Sequence, residues 1–185
     1  YATLAQAVVD AGCTSALLVS YATDGAGIIE ELAGLGYAGD IYGADGIAEE
    51  GLAAGMSDTT LVDGIIATKP AAAGTPGMVA MVFGALCAQS TDCAGGIYTA
   101  EAFDAVTIVA FAAFTALATP GLDAGSAVMG TGQGWNGASG TISFLTNGDV
   151  PAAGFCIGEF STATDGTVSY DCARSWDPVN GITTA

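Results

Sequence analysis

The sequence has no histidine, and its only basic residues among 185 are Lys69 and Arg174. Without histidine there is no Ser-His-Asp or Cys-His nucleophile system. The usual Cys/His zinc sets are missing too, and none of the five cysteines forms a CxxC pair. The glycine-rich stretch "GTGQGWNGASG", residues 130–140, lacks GxxxxGK and is no phosphate loop. No nucleophile elbow is present, and no two carboxylates can be placed face to face for glycoside chemistry. These absences argue against an enzyme, a resident metal or a cofactor. Long apolar runs are also missing. The most apolar stretch, "AVTIVAFAAFTALA" (105–118), is 14 residues long and preceded by Asp104 and Glu101. A bilayer span needs about 20 residues, so this stretch reads as a buried helix of a soluble domain.

What is abundant is negative charge. Nineteen acidic residues give a formal net charge of −17, while 51% of the chain is apolar, enough for a real core. Such a field repels nucleic acid and anionic lipid, and it repels itself unless salt screens it. The carboxylates are scattered, which points to adaptation to a saline medium rather than to one cation site. Of the cysteines, Cys87 and Cys93 bracket "AQSTD" and can close a short loop. Cys156 and Cys172 lie in two strand-like segments joined by "TDG" and can face each other across a hairpin. Two such bridges imply an oxidising compartment; the alternative is buried thiols. Cys13 is left over, either inert or bonded to something outside this chain. The opening "YATLAQAVVDAG" is already helical in pattern. That reads as a chain from which a leader has been removed, or as a piece of a longer protein.

Along the chain, "LAQAVVDAG" predicts a helix ending at Gly12, "SALLVS" a buried strand, and "GAGIIEELAGLG" a helix with Ile28, Ile29, Leu32 and Leu35 on one side. "GDIYGADG" predicts a short strand and turn, "AEEGLAAG" a short helix, and "VDGIIATKP" a strand ended by Pro70. This alternation is that of an α/β domain with a parallel sheet. Residues 71–77 read as a loop or linker. "GMVAMVFGALCAQS" and "TAEAFDAVTIVAFAAFTALA" read as helices, the second with Thr99 as N-cap and with burial on more than one face. "GLDAGSAVMGTG" reads as a short helix and loop. "GTISFLTNGDV" predicts a strand and an Asn-Gly turn, and "GFCIGEF" and "GTVSYDC" two more strands. The tail "DPVNGITTA" reads as turns only.

In such folds ligands sit beyond the carboxyl ends of parallel strands. Tyr21 follows "SALLVS" and Asp45 follows "GDIYG", which places both on one rim. The stretches "LLVSYATDGAGIIEELAGLG", "IYGADG", "GIIATKP", "YTAEAFDAV" and "GTISFLTNGDV" occur in the order seen in the second half of type 1 periplasmic binding proteins. They most resemble the branched-chain amino-acid binding type that serves ABC importers. The resemblance implies a fold of two α/β lobes joined by three crossing strands, with the ligand held between them. It divides this chain into a ligand-binding second lobe (1–74), a hinge return with helices of a partial first lobe (75–130), and terminal strands, crossover and tail (131–185). The first half of the family pattern, which supplies serine and threonine contacts to a ligand carboxylate, has no counterpart here.

The resemblance implies that Tyr21 packs on the ligand and that Asp45, in "GADG", takes its ammonium by a charge-assisted hydrogen bond. The family member most like this chain has glutamate there, one methylene longer. On the residues alone, Asp45 in "ADG" reads first as an Asx-turn carboxylate, and Thr23 and Asp24 cap the helix that follows, with a secondary expectation that they reach the ligand. Tyr98 and Asp104 read as structural, Lys69 as the partner of a carboxylate, and Trp135 as the pin of its glycine-rich loop. Two functions of different class follow. One is a periplasmic or extracellular solute-binding protein, or a fragment of one, that captures a small amino acid or related polar solute for an ABC permease and works with a missing N-terminal lobe. The other is a structural protein built from half of this fold, self-associating into oligomers or filaments.

Overall fold

The computed structural model describes residues 1–71, 78–90, 93, 98–151 and 154–184. The linker expected at 71–77 lies outside the described residues except for Ala71. Two compact units are present. One comprises Tyr1–Ala71 with Gly154–Ala185, the other Ala72–Ala153.

The first unit alternates helix and strand: α1 (Ala2–Asp10), β1 (Ser15–Leu18), α2 (Ala22–Gly34), β2 (Asp40–Gly43) and β3 (Ile66–Pro70). Between β2 and β3 lie three 3-10 turns, Asp45–Ile47, Glu50–Ala53 and Thr59–Val62. The helix expected over "AEEGLAAG" is therefore a correction. Gly51 and Gly55 interrupt helix propagation, and the segment instead coils tightly enough to bury Leu52 completely. The chain returns as β6 (Phe155–Thr162), β7 (Val168–Asp177) and β8 (Gly181–Thr184). The sheet order is β1-β2-β3-β6-β7-β8. β1, β2 and β3 are parallel, as the βαβ alternation requires, and β3-β6-β7-β8 are antiparallel. The tail read as turns thus forms an edge strand. The Ala71 amide donates to the Gly154 carbonyl at 3.0 Å, so the outgoing and returning strands run side by side.

The core of this unit lies between α2, the 3-10 turns and the sheet, with Ile29, Leu32, Ile47, Leu52, Val62 and Phe160 almost wholly buried. The Phe160 and Tyr170 rings pack at a tilt of 54°, with centroids 4.9 Å apart. The Tyr170 hydroxyl donates to the Ala67 carbonyl (2.9 Å) and accepts from the Gly158 amide (3.2 Å), which ties β3, β6 and β7 together at a bulge between Ile157 and Glu159. Burial pushes the Tyr170 phenol above its ordinary pKa. Lys69, expected to pair with a carboxylate, holds its Nζ 4.7 Å above the Tyr170 ring centroid, a cation–π contact. The disulfide Cys156–Cys172 staples the same hairpin, and Cys13 is free and exposed.

The second unit contains α3 (Met78–Cys87), α4 (Thr99–Ala118), α5 (Ala124–Thr131) and a two-stranded ladder of β4 (Trp135–Asn136) and β5 (Thr141–Ile142). Segment 131–185 is therefore divided, 131–151 going with the helices and 154–184 with the first sheet. Cys87 at the end of α3 is bridged to Cys93. Asp123 caps α5 by accepting from the Ser126 amide (2.9 Å) and hydroxyl (2.6 Å). The N-cap of α4 is Tyr98, in left-handed conformation (φ 66°), and Thr99 is its first helical residue rather than its cap. Asp104 is completely buried. Its carboxylate accepts from the Ala138 amide (2.7 Å), the Ser139 amide (2.8 Å) and hydroxyl (2.7 Å), and more distantly the Trp135 indole (3.5 Å). Trp135 also packs on Phe111, with centroids 5.7 Å apart. The aspartate and the tryptophan together anchor the 135–139 loop to α4.

One expectation for α4 is overturned. Only Asp104, Ile108 and Ala112 are buried, a single i, i+4, i+8 stripe. Val106, Val109, Phe111, Phe114 and Leu117 are all more than half exposed. With 20 residues and high apolarity, α4 is long and apolar enough to cross a membrane by length and composition. An all-round apolar helix buries every face only where a layer lies on every side; among the described residues, cover beyond that stripe is partial, from Phe83 on Phe103 and Trp135 on Phe111.

Candidate functional site at the carboxyl rim of the sheet

Parallel pairing of β1 with β2 aligns Leu18 with Gly43 and carries on into the loops, where the Ala44 amide donates to the Leu18 carbonyl at 2.9 Å. The two strands therefore end level, and the residues that follow them, Ser20–Tyr21 and Asp45–Gly46, meet. The approach is close. A Cβ on Gly46 would lie 2.4 Å from the Ser20 carbonyl oxygen and 3.5 Å from the Tyr21 ring, so only glycine fits. Ile47 fixes the turn from below. It is fully buried, and its Cδ1 sits 2.3 Å from where a Cβ on Gly43 would stand. The backbone that carries Asp45 is thus clamped to the end of β2 by a core side chain.

Tyr21 is the N-cap of α2, with extended backbone (φ −88°, ψ 164°), and its ring is 79% exposed on the rim. Asp45 opens its 3-10 turn and is half-buried. Thr23 and Asp24 lie in the first turn of α2 rather than at its cap, because the helix begins at Ala22; no side chain caps it. Thr23 is exposed. Asp24 accepts a hydrogen bond from the Tyr1 hydroxyl, which raises the Tyr1 phenol pKa and draws the carboxylate toward α1. The structure therefore brings Tyr21 and Asp45 into one place and engages Asp24 elsewhere. Ser20 is the residue that motif reasoning does not reach, since a serine at a strand end carries no signal of its own. Its Oγ is buried beneath the same loop junction and has no hydrogen-bond partner.

Three cavities open around this unit, and the second of them reaches Val19 and Ser20 at the rim. One of about 300 Å³ opens between Ile29, Tyr37, Asp40 and Asp63; another of about 340 Å³ runs along β1 beside Leu4, Val8 and Leu17; a third of about 570 Å³ lies beside Tyr1, Glu30 and Ser57. In the third, the Ser57 amide and hydroxyl, each at 2.8 Å, hold the Glu30 carboxyl below its ordinary pKa. Among the described residues no group of three His, Cys, Asp or Glu side chains is placed to hold a metal ion.

No protein-family model matches the sequence, and no curated protein matches it. Solved structures do match. A leucine-binding protein from Thermotoga maritima superimposes with a TM-score of 0.70 at 20% identity, over 95% of this chain and 48% of that one. An ABC-transporter solute-binding protein from R. palustris, in complex with 4-hydroxybenzoate, gives 0.70 at 15% identity over 95% and 48%. A branched-chain amino-acid ABC transporter protein from Thermus thermophilus with bound valine gives 0.63 at 16% identity over 99% and 49%. At these identities the likeness establishes the fold. The chain has the architecture of type 1 periplasmic binding proteins and spans about half the length of the solved structures it matches.

Proposed function

We propose that this chain is the ligand-contacting half of a solute-binding protein that captures a small amino acid or related polar solute outside the cytoplasm for an ABC permease. The observation that carries the reading is the convergence of Tyr21 and Asp45 on one rim, held by Ile47 and the Gly46 contact. A fixed carboxylate suits an ammonium group through a charge-assisted hydrogen bond. An exposed tyrosine ring covers an apolar side chain and keeps its hydroxyl for a polar one. Binding involves no bond making, and the two disulfides fit an oxidising compartment. The net charge of −17 fits a saline one. The second wall of the cleft, which would engage the solute's carboxylate, belongs to a lobe outside this sequence.

The asparagine variant tests the electrostatics. An open half-cleft binds weakly, at about millimolar affinity or about −4 kcal/mol, so the assay is an amide NMR titration with leucine, valine and 4-hydroxybenzoate. Leucine and valine are expected to shift the Ser20–Thr23 and Ala44–Ile47 amides, and Asp45→Asn is expected to remove those shifts. 4-Hydroxybenzoate, which carries no ammonium, is expected to leave them unmoved. Equal shifts in wild type and Asp45→Asn, or no shifts with either amino acid, would refute the reading.

A further inference from the structure

We propose that the turn Leu145–Asp149 is a modification site, at which Asn147 converts spontaneously to aspartate and isoaspartate. The inference does not rest on the solute-binding reading. The chain has three asparagines, Asn136, Asn147 and Asn180, and glycine follows each one. Asn-Gly is the pair most open to this chemistry, because glycine has no side chain to screen its nitrogen. The glycine nitrogen attacks Cγ of the asparagine, and the new C–N bond closes a five-membered succinimide. The bond from Cγ to Nδ2 breaks, and Nδ2 leaves as ammonia with the proton that the glycine amide gives up. Water then opens the ring at either carbonyl, giving aspartate or isoaspartate. One water is consumed and one ammonia released, with no change of oxidation state.

The sequence makes the three sites alike, and the fold separates them. Asn147 is exposed, as are Leu145, Thr146, Gly148 and Asp149 around it. Its Oδ1 accepts from the Asp149 amide at 3.2 Å, and its Nδ2 donates to the Asp149 carboxylate at 2.6 Å. A bond to the amide two residues on is an Asx-turn. It folds the side chain back over the Asn147–Gly148 peptide, toward the attacking nitrogen. It also aims an N–H at the oxygen on which negative charge develops during the attack. The Gly148 amide donates to the Leu145 carbonyl at 2.9 Å, and this bond must open first. A Cβ on Gly148 would meet nothing within 4 Å, so that opening disturbs no packing and stays local. Among the described residues neither of the other two sites has this arrangement. The Asn180 Nδ2 donates to both carboxylate oxygens of Asp177 (3.2 and 3.1 Å), three residues back, which draws the side chain away from Gly181. Gly181 is itself paired with Asp177 in the β7–β8 ladder. Asn136 lies in β4, and the buried Gly137 donates its amide to the Gly140 carbonyl at 2.8 Å. The Asp104 carboxylate fills the space where a Cβ on Gly137 would stand, and its bonds to the Ala138 and Ser139 amides hold that loop closed. Conversion at Asn147 replaces the donor to Asp149 with a second carboxylate, and isoaspartate adds a carbon to the backbone. Both changes loosen the turn that the Leu145 amide closes on the Asp149 carbonyl at 2.7 Å.

The test is incubation of the disulfide-intact chain at mildly alkaline pH, with samples taken over time, digested with pepsin in acid and read by peptide mass spectrometry. The three asparagines serve as one another's controls. Asn147 is expected to convert at least tenfold faster than Asn136 and Asn180 in the folded chain, and all three at similar rates in urea. Electron-transfer fragmentation is expected to find isoaspartate beside aspartate at position 147, as ring opening requires. Gly148→Ala, with folding checked by circular dichroism, is expected to slow Asn147 at least tenfold and to leave the other two unchanged. Equal rates at the three sites of the folded chain would overturn the proposal. So would an Asn147 that converts in urea but not when folded, or aspartate formed without isoaspartate.

Discussion

Replacing Asp104 should unfasten the 135–139 loop from α4, and the size of the effect can be worked from its partners. The carboxylate is fully buried, no basic residue lies anywhere in residues 72–153, and its charge is balanced by donors alone: two backbone amides, one hydroxyl and a distant indole. Asp104→Ala strands the Ala138 and Ser139 amides in a site that water does not reach. Each orphaned buried donor costs about 1–3 kcal/mol. The expected loss is therefore about 3–5 kcal/mol, comparable with breaking a buried ion pair. Asp104→Asn keeps the volume and one acceptor but turns an amide donor toward the Ser139 amide. The Ser139 hydroxyl can rotate to accept from it, so about 1–3 kcal/mol is expected. Urea unfolding followed by Trp135 fluorescence, in a Trp176→Phe background, reads the second unit alone. With a slope of about 1–3 kcal/mol per molar, the alanine variant should lower the midpoint by roughly 1.5–3 M and the asparagine variant by about half as much. A shift below about 0.5 kcal/mol for Asp104→Ala, within the range of ordinary surface changes, would refute the reasoning.

The two disulfides should differ in worth. Cys156–Cys172 closes a separation of 16 residues and Cys87–Cys93 one of 6, so chain entropy assigns about 3 and about 2 kcal/mol respectively. Removing each pair by double alanine substitution, with unfolding followed by circular dichroism, should show the larger loss for the hairpin pair; the reverse order would contradict the entropic account. Stability should also pass through a maximum on the acid side of neutrality. Hydrogen bonds from the Thr60 and Ser126 hydroxyls and the Thr167 and Asn180 amides hold the carboxyls of Asp58, Asp123, Asp165 and Asp177 below the ordinary aspartate value of 3.8. Groups with depressed folded-state pKa stabilise the fold above 3.8 and lose that contribution as pH falls through the depressed values. Charge repulsion acts the other way, fading as pH drops from 7 toward the isoelectric point near 4.1. Calorimetry should find Tm rising between pH 7 and about 4 in low salt and falling below that. High salt should flatten the rise and leave the acid-side fall. A Tm that declines steadily from pH 7 in low salt would overturn this balance.

The βαβ order, the disulfide pairs and the convergence of Tyr21 with Asp45 were legible because each depends on local pattern plus one rule of topology. Parallel strands must end at a common rim, so residues 24 positions apart become neighbours without any contact being known. The 3-10 turns after Asp45 were not legible. "AEEGLAAG" has the small and apolar content of a helix, and only the packing of Leu52 against α2 decides that it coils more tightly. The strand Gly181–Thr184 is too short for a period to register, and it exists because β7 runs far enough to offer it an edge. The partner of Lys69 was hidden because a cation surrounded by 19 carboxylates in sequence still stands over a ring 101 positions away.

The most instructive difference concerns α4. Its composition states that most of its surface prefers to leave water, and that statement is correct. Composition does not state whether the layer that would cover it is part of the same chain. The structure separates the two questions, since one stripe is covered from within the unit and the opposite one is not. Apolar surface of that extent differs from the scattered single side chains, such as Val179, that folded chains ordinarily expose. The same asymmetry appears at the rim, where Tyr21 is more exposed than any side chain that packs beneath it. Both features belong to a fold of which this sequence holds about half. The solute-binding reading begins from the rim, and the bare side of α4 adds nothing to it. The Asp45→Asn titration therefore tests the rim alone.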